Sequence, residues 1–219
     1  VMANFFRPRN YAVMTSPGST HAWINIPKNA SSFCHTVFTN NGWTMCHADD
    51  LVDGILLAHT IKKIVVLRDP VERWISGFAQ CMADHHTKDL LDLLDKPAFW
   101  RTLIFNPIFD DHTEYQHRFI GAAQNITYIN MQSRNIHNVI LDPNRFYRDL
   151  TAFVRSTGGT SEFQYWQEPT NPAENDLEKI TIYNKLRAII KENEDYYNIL
   201  KNVHSKDYEL FNTLQKFEI

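Results

Sequence analysis

Two stretches of the chain share one order of apolar and polar positions: a short apolar run, a polar loop, then apolar residues at helical spacing. In the first, Trp23, Ile24 and Ile26 supply an apolar strand, and Phe33, Cys34, Val37 and Phe38 recur at the spacing of one helix face. In the second, Ile64 to Leu67 is an unbroken aliphatic and β-branched run, the mark of a strand buried on both faces. That run stops at Arg68. Asp69 then stands where an N-cap belongs, Pro70 at the first helical position and Glu72 at the capping-box position. Apolar residues at 71, 74, 75, 78 and 82 give the following helix one clean face.

The remaining pattern is less regular. Residues 1–21 carry Pro8, Pro17 and Gly18 and read as an N-terminal arm or a preliminary hairpin laid on the domain. Asn40-Asn41-Gly42 is a turn, Trp43 to Cys46 a short strand that ends at His47, and residues 51–58 fit either helix or loop. Residues 84–105 are amphipathic, with Pro97 breaking the run and starting a new helix. Asp110-Asp111-His112 opens a polar turn ahead of Tyr115, Gln116, Phe119 and Ile120. Short strands are predicted at Thr127–Asn130 and Val139–Leu141, and a helix from Phe146 to Val154. Gln164 to Asn175, with two prolines, reads as a long loop of the kind that forms lids. Leu177 to Phe217 is helical in pattern, so residues 176–219 are expected as C-terminal helices packed on the domain. No repeat or boundary divides the chain. The reading is one α/β domain over residues 1–219, three layers deep, with a central, mainly parallel sheet flanked by helices.

Composition narrows the function classes. A chain of 219 residues with 43% apolar content can bury one sizeable core. A formal charge of −3 argues against general nucleic-acid binding, so any anion must be held by local residues. Cys34, Cys46 and Cys81 are too few for a disulfide scaffold and fit small core residues in a reducing compartment. No apolar run approaches the roughly 18 residues of a membrane span, and no signal peptide is visible. A cytoplasmic or otherwise soluble protein is expected, with a luminal domain trimmed of its anchor as the alternative. Asn29-Ala30-Ser31 and Asn125-Ile126-Thr127 match the glycosylation sequon, but a glycan at Asn29 would block the first loop.

The polar loops carry the chemistry. A helix start presents N–H groups without intrahelical partners, at the positive end of the dipole, which suits an anion. In the loop Pro27-Lys28-Asn29-Ala30-Ser31-Ser32, Lys28 adds a full charge and Ser31 and Ser32 add hydroxyls. Arg68, at the carboxyl end of the second strand, offers a planar fork that can hold two phosphate oxygens, and Ser76 lies two turns into the next helix. Two such loops point to a ligand with two phosphate groups. The Walker A pattern GxxxxGK[ST] is absent, which disfavours an ATP- or GTP-hydrolysing enzyme.

Pro27-Lys28-Asn29-Ala30-Ser31-Ser32 resembles the 5′-phosphosulfate loop of sulfotransferases. Arg68-Asp69-Pro70-Val71-Glu72-Arg73-Trp74-Ile75-Ser76 resembles their 3′-phosphate segment, R-[DE]-P-x-x-R-x-x-S. The carbohydrate (Golgi-type) branch is the nearest in pattern. His112-Thr113-Glu114-Tyr115-Gln116 is similar to its H-W-x-P-Q element without the Trp and Pro. Val139 to Leu150 resembles the strand-and-helix passage that follows, and Asp207-Tyr208-Glu209-Leu210-Phe211 its D-[YF]-x-L-[YF] element. The resemblance implies a P-loop NTPase-like topology that binds 3′-phosphoadenosine 5′-phosphosulfate (PAPS), moves its sulfuryl group to a hydroxyl or amine, leaves adenosine 3′,5′-bisphosphate and needs no metal. It implies Lys28 at the leaving phosphate, the N–H groups of Asn29 to Ser32 on the 5′-phosphate, and Arg68 and Ser76 on the 3′-phosphate.

A general base must take the acceptor's proton, and a histidine suits neutral pH. His47, His59 and His112 are the candidates. The resemblance to heparan-type 2-O-sulfotransferases favours His47, by its spacing from Arg68. Arg73 reads equally as an ion pair with a helix neighbour or as a cofactor contact. Phe163, Tyr165 and Trp166 could stack on adenine or a sugar, or cover the core. His85-His86, His47/Asp49/Asp50 and Asp110/Asp111/His112 lack a recognisable metal-ligand spacing. The rival readings are a P-loop-type kinase using ATP and magnesium, and a non-catalytic homologue that binds a nucleotide or glycan.

Overall fold

The structure, a computed structural model, describes residues 12–84, 92–131, 145–160 and 177–219. Its centre is strand β4 (Lys62–Arg68). Ile64 and Val66 point to one side of the sheet, Val65 and Leu67 to the other, and all four are buried. Each such burial contributes about 1.5–3 kcal/mol, and apolar side chains on both faces require cover on both. One side is covered by α1 (Ser31–Asn40) and α6 (Arg145–Ser156). The other is covered by α2 (Asp49–Leu57), α5 (Gln116–Ile120) and α9 (Ser205–Thr213).

The sheet has six strands. Besides β4 they are β1 (Val13–Thr15), β2 (His21–Ile24), β3 (Thr44–Cys46), β5 (Ile126–Met131) and β6 (Gln215–Lys216), in the order β3-β1-β2-β4-β5-β6. β2, β4, β5 and β6 are parallel neighbours. β1 runs antiparallel to both β2 and β3, so the sheet is mixed at that end. β1 falls in the stretch read as an arm or hairpin: it forms a hairpin with β2 and is enclosed between β2 and β3.

A third apolar cluster lies among helices. The clean face of α3 (Pro70–Asp84), residues Val71, Trp74, Ile75, Phe78 and Met82, packs against Trp100, Leu103 and Ile104 of α4 (Pro97–Phe105). It also packs against Ile182, Leu186 and Ile190 of α7 (Leu177–Glu192) and Leu200 of α8 (Glu194–Val203). Asp69 caps α3 as its position implies: Oδ1 accepts from the Glu72 N–H at 2.9 Å. The continuous helical pattern of 177–217 is three helices and a terminal strand. Asn193 makes the first break by accepting from the Tyr196 N–H at 3.2 Å, which starts α8 afresh. Residues 51–58, open between helix and loop, belong to α2 apart from Ala58, its C-cap.

Cys34 and Cys81 are buried, Cys46 is half-buried, and all three are free. Among the described residues no helix is long and apolar enough to cross a membrane. The predicted strand Val139–Leu141, the loop Gln164–Asn175 with Phe163, Tyr165 and Trp166, and the pair His85-His86 lie outside the described residues.

Candidate functional site

β2 and β4 are parallel, with Ile24 beside Val65, so the loops that leave them emerge at one edge of the sheet. The first loop is bent tightly. Lys28 and Ala30 have φ of 67° and 57°, two of the four non-glycine residues with positive φ among those described. Each such conformation costs about 1–3 kcal/mol and persists only where its surroundings hold it. Here the Asn29 side-chain amide donates to Val66 O and to Gln116 Oε1, both at 2.7 Å. Ser31 Oγ donates to Ile26 O at 2.9 Å, and the Asn29 N–H to the same carbonyl at 3.2 Å.

These bonds engage two groups expected at a phosphate. The Asn29 N–H and the Ser31 hydroxyl, assigned to a 5′-phosphate, are committed to Ile26 O. Asn29 itself is 2% exposed, a buried strut rather than a glycan acceptor. The first-turn N–H groups of α1 and the exposed Ser32 are the donors the loop presents outward.

The second segment is bonded directly to the first. Arg68 Nη1 donates to Lys28 O at 3.2 Å, and Arg73 Nε to Pro27 O at 2.9 Å. Arg73 is 1% exposed. Its remaining donors go to Glu114 O and, at 3.4 Å, to Asp111 O. Burial lowers its pKa to about 10, against opposing charges led by Asp207, so it stays cationic at neutral pH. Its hydrogen bonds go to backbone carbonyls rather than to a carboxylate of its own helix, as a clamp between the first loop and the 110–114 turn. Arg68 is different. It is half-buried, and its Nε is buried with no hydrogen-bond partner, a charged donor lacking an acceptor.

Lys28 is half-buried, and its ammonium donates to Gln80 Oε1 of α3 at 3.3 Å. Burial, followed by the charges of Lys179 and Arg68, lowers its pKa to about 7, with Asp84 opposing. Lys179, on α7, is the strongest-acting of the charges that lower it. Lys28 thus lies in the field of two other cations, of which sequence reasoning had found only Arg68. The missed one follows from tertiary placement: Tyr183, one turn after Lys179, donates to Glu72 Oε2 at 3.0 Å and holds α7 against α3. Ser76 is half-buried on α3, between Glu72 and Gln80.

Gln116 is the hub that joins the segments. Fully buried, its Oε1 accepts from Asn29 and from the Arg68 N–H at 3.2 Å, and its Nε2 donates to Arg68 O at 2.9 Å. Its own N–H donates to Asp207 Oδ2 at 2.9 Å, and Tyr208 OH donates to Asp69 Oδ2 at 3.1 Å. The weakly patterned segments around 112–116 and 207–211 are therefore bonded to the two loops.

The three histidines separate. Cys46 pairs with Val13 and Val13 with Ile24, so His47, exposed, follows β3 at the same edge as the loops but two strands from β2. His59 precedes β4 and lies at the opposite edge, exposed, where its carbonyl accepts from Asn125 Nδ2 at 2.9 Å. That position removes it from the loops. His112 is half-buried, and its Nδ1 lies 2.9 Å from Asp110 Oδ2. Burial alone would raise the Asp110 carboxyl, but bonds and charge from His112 and bonds from Thr113 hold it below its ordinary value. The His112 backbone lies against α3 at Gly77, three residues before the Gln80 that meets Lys28.

No family model matches the chain, and no curated protein or solved structure matches it either.

Proposed function

We propose that the chain is a PAPS-dependent sulfotransferase that acts on a hydroxyl or amine, with carbohydrate as the favoured acceptor class and a P-loop-like strand–loop–helix at its centre. The observation that carries this reading is the direct bonding of the two phosphate-type segments: Arg68 to Lys28 O and Arg73 to Pro27 O. The residues fit a nucleotide with two phosphates. Arg68 Nε lacks an acceptor, which an anion would supply, and Lys28 stands in the field of Arg68 at the same edge of the sheet.

PAPS supplies an activated sulfuryl group on a bisphosphate leaving group. In this reading Lys28 neutralises charge that builds on the leaving phosphate. The α1 first-turn N–H groups and Ser32 hold the 5′-phosphate, and Arg68 with Ser76 holds the 3′-phosphate. His112 is the better-supported base. With Nδ1–H donated to Asp110, which fixes the ring, its Nε2 carries the lone pair that takes the acceptor's proton. His47 is the second candidate, at the same sheet edge but untethered by any such carboxylate contact among the described residues.

The test is transfer. The chain is incubated with labelled PAPS and a panel of glycans, and in parallel with labelled ATP and magnesium. Sulfate incorporated into a glycan and lost in His112→Ala supports the reading. Phosphate incorporated from ATP replaces it with a kinase.

A further inference from the structure

Phe109 is 51% exposed, yet its place on the chain is fixed. Its N–H donates to Thr113 Oγ1 at 2.8 Å, and the Asp110 N–H donates to the same oxygen at 3.0 Å. Asp110 Oδ1 accepts from the N–H groups of His112 and Thr113 at 3.0 and 3.1 Å. Thr113 is fully buried, and Pro107 O, two residues before the ring, accepts from Trp74 Nε1 at 2.7 Å. The Phe109 ring packs on Phe78 of α3, with centroids 5.2 Å apart. Phe78 follows the Gly77 against which the His112 backbone lies. One stretch of α3 therefore backs both the exposed ring and the turn that holds the His112–Asp110 pair.

Leaving a phenylalanine half outside forgoes part of the roughly 1.5–3 kcal/mol that burying it would contribute. A ring held outward by a bonded turn is a flat apolar surface beside a polar pair. Its complement is a ligand that is apolar on one face and polar at its rim. A pyranose has that form: C–H groups on one face, which suit the negative face of an aromatic ring, and hydroxyls at the edge. Charge selects further. Asp110 and Asp111 follow the ring directly, so a glycan rich in uronate or sulfate meets like charge there, whereas a neutral one does not. The turn is also tied to the first loop, since Arg73 donates both to Asp111 O and to Pro27 O.

We propose that Phe109 is the acceptor platform of this site: its exposed ring stacks on the C–H face of a neutral sugar and sets a hydroxyl of that sugar against His112. This deepens the sulfotransferase reading and rests on it for the reaction, whereas the binding of the sugar stands by itself. In the reaction the sugar oxygen bonds to the sulfur of PAPS, the bond from sulfur to the leaving phosphate breaks, and the hydroxyl proton passes to His112 Nε2.

The experiment is NMR titration of the whole chain, without nucleotide, with chitotetraose and cellotetraose as neutral probes and a heparosan tetrasaccharide as the uronate-bearing one. The proteins are the wild type, Phe109→Ala, Phe109→Trp and Leu51→Ala. Leu51 is 55% exposed on α2 and controls for loss of exposed apolar surface in general. A neutral probe should bind the wild type more tightly than heparosan and weaken by about 5-fold or more in Phe109→Ala, the scale of an aromatic contact. Phe109→Trp should keep the affinity, and Leu51→Ala should lose little. With PAPS added, Phe109→Ala should raise KM for the sugar and leave kcat near the wild-type value. Equal affinities in wild type and Phe109→Ala overturn the inference, as do an equal loss in Leu51→Ala, a preference for heparosan, or no neutral probe bound by the wild type. Phe109-dependent binding without transfer of sulfate from PAPS keeps the platform and discards the sulfotransferase reading. Transfer with an unmoved KM in Phe109→Ala does the reverse.

Discussion

The Asn29 side chain donates to Gln116 Oε1 at 2.7 Å, joining the first loop to a residue 87 positions away. The same oxygen accepts from the Arg68 N–H, and the Gln116 amide nitrogen returns a bond to Arg68 O. One buried amide thereby sets the spacing between two loops. Gln116→Ala should destabilise the fold by about 2 kcal/mol or more, because the buried Asn29 amide and the part-buried backbone of Arg68 lose partners. Urea unfolding measures it, and an unchanged midpoint would remove Gln116 from this role.

Arg68 and Arg73 belong to one short segment yet predict opposite outcomes. Arg73→Ala leaves the carbonyls of Pro27 and Glu114 without the partner that clamps them, so a loss of about 3–5 kcal/mol of stability is expected. Arg68→Ala should leave the unfolding midpoint nearly unchanged and weaken adenosine 3′,5′-bisphosphate by about 1.5–3 kcal/mol. Thermal unfolding and calorimetry on the two variants check the contrast; a swap of the two phenotypes would reverse the roles.

Gly77 is required by a close approach. A Cβ there would lie 2.1 Å from His112 O, a backbone atom that cannot swing aside. Gly77→Ala should cost about 1–3 kcal/mol, the range of overpacking, and should disturb the Asp110–His112 pair. The measurement is stability together with the His112 imidazole resonances by NMR. A variant as stable as the wild type with unshifted resonances would show that the turn moves freely from α3.

Lys28 makes ligand binding pH-dependent. Its pKa of about 7 lies below the ordinary lysine value of 10.5 because of burial, Lys179 and Arg68. Between those values the unfolded chain holds the extra proton, so the Lys28 contribution to stability rises with pH across that window, and its charged form costs stability below it. An anion bound beside Lys28 restores the proton. At pH 8, binding of adenosine 3′,5′-bisphosphate should take up close to one proton per site, read from calorimetry in two buffers of different ionisation enthalpy. Affinity should fall as pH rises above about 7. Proton-neutral binding at pH 8 would contradict a neutral Lys28 in the free chain.

Much of the frame was legible in the sequence where local and tertiary signals agree. β4 and α3 follow from an unbroken aliphatic run and an Asp-Pro start, and the four buried residues of α1 follow from helical spacing. β1 was harder to see because it is three residues long and sits among turn formers. β6, two residues long, exists only because β5 offers an edge, which no local pattern encodes.

The site shows the same division. Lys28, Arg68 and their loops stood out because charge follows a strand end. Lys179 did not, because it is one lysine on an amphipathic helix until Glu72 fixes that helix against α3. Arg73 stayed open because its neighbours in sequence do not reveal that it faces three carbonyls from two other segments. His112 gains weight over His47 from a carboxylate two residues away whose geometry spacing alone left open.

The most direct measurement is calorimetric titration of the wild-type chain, without metal, with adenosine 3′,5′-bisphosphate beside adenosine 5′-monophosphate. A site built from two phosphate loops predicts at least 10-fold tighter binding of the bisphosphate, about 1.4 kcal/mol, and loss of that preference in Arg68→Ala. Equal affinity for the two nucleotides, or binding only of ATP with magnesium, would contradict it.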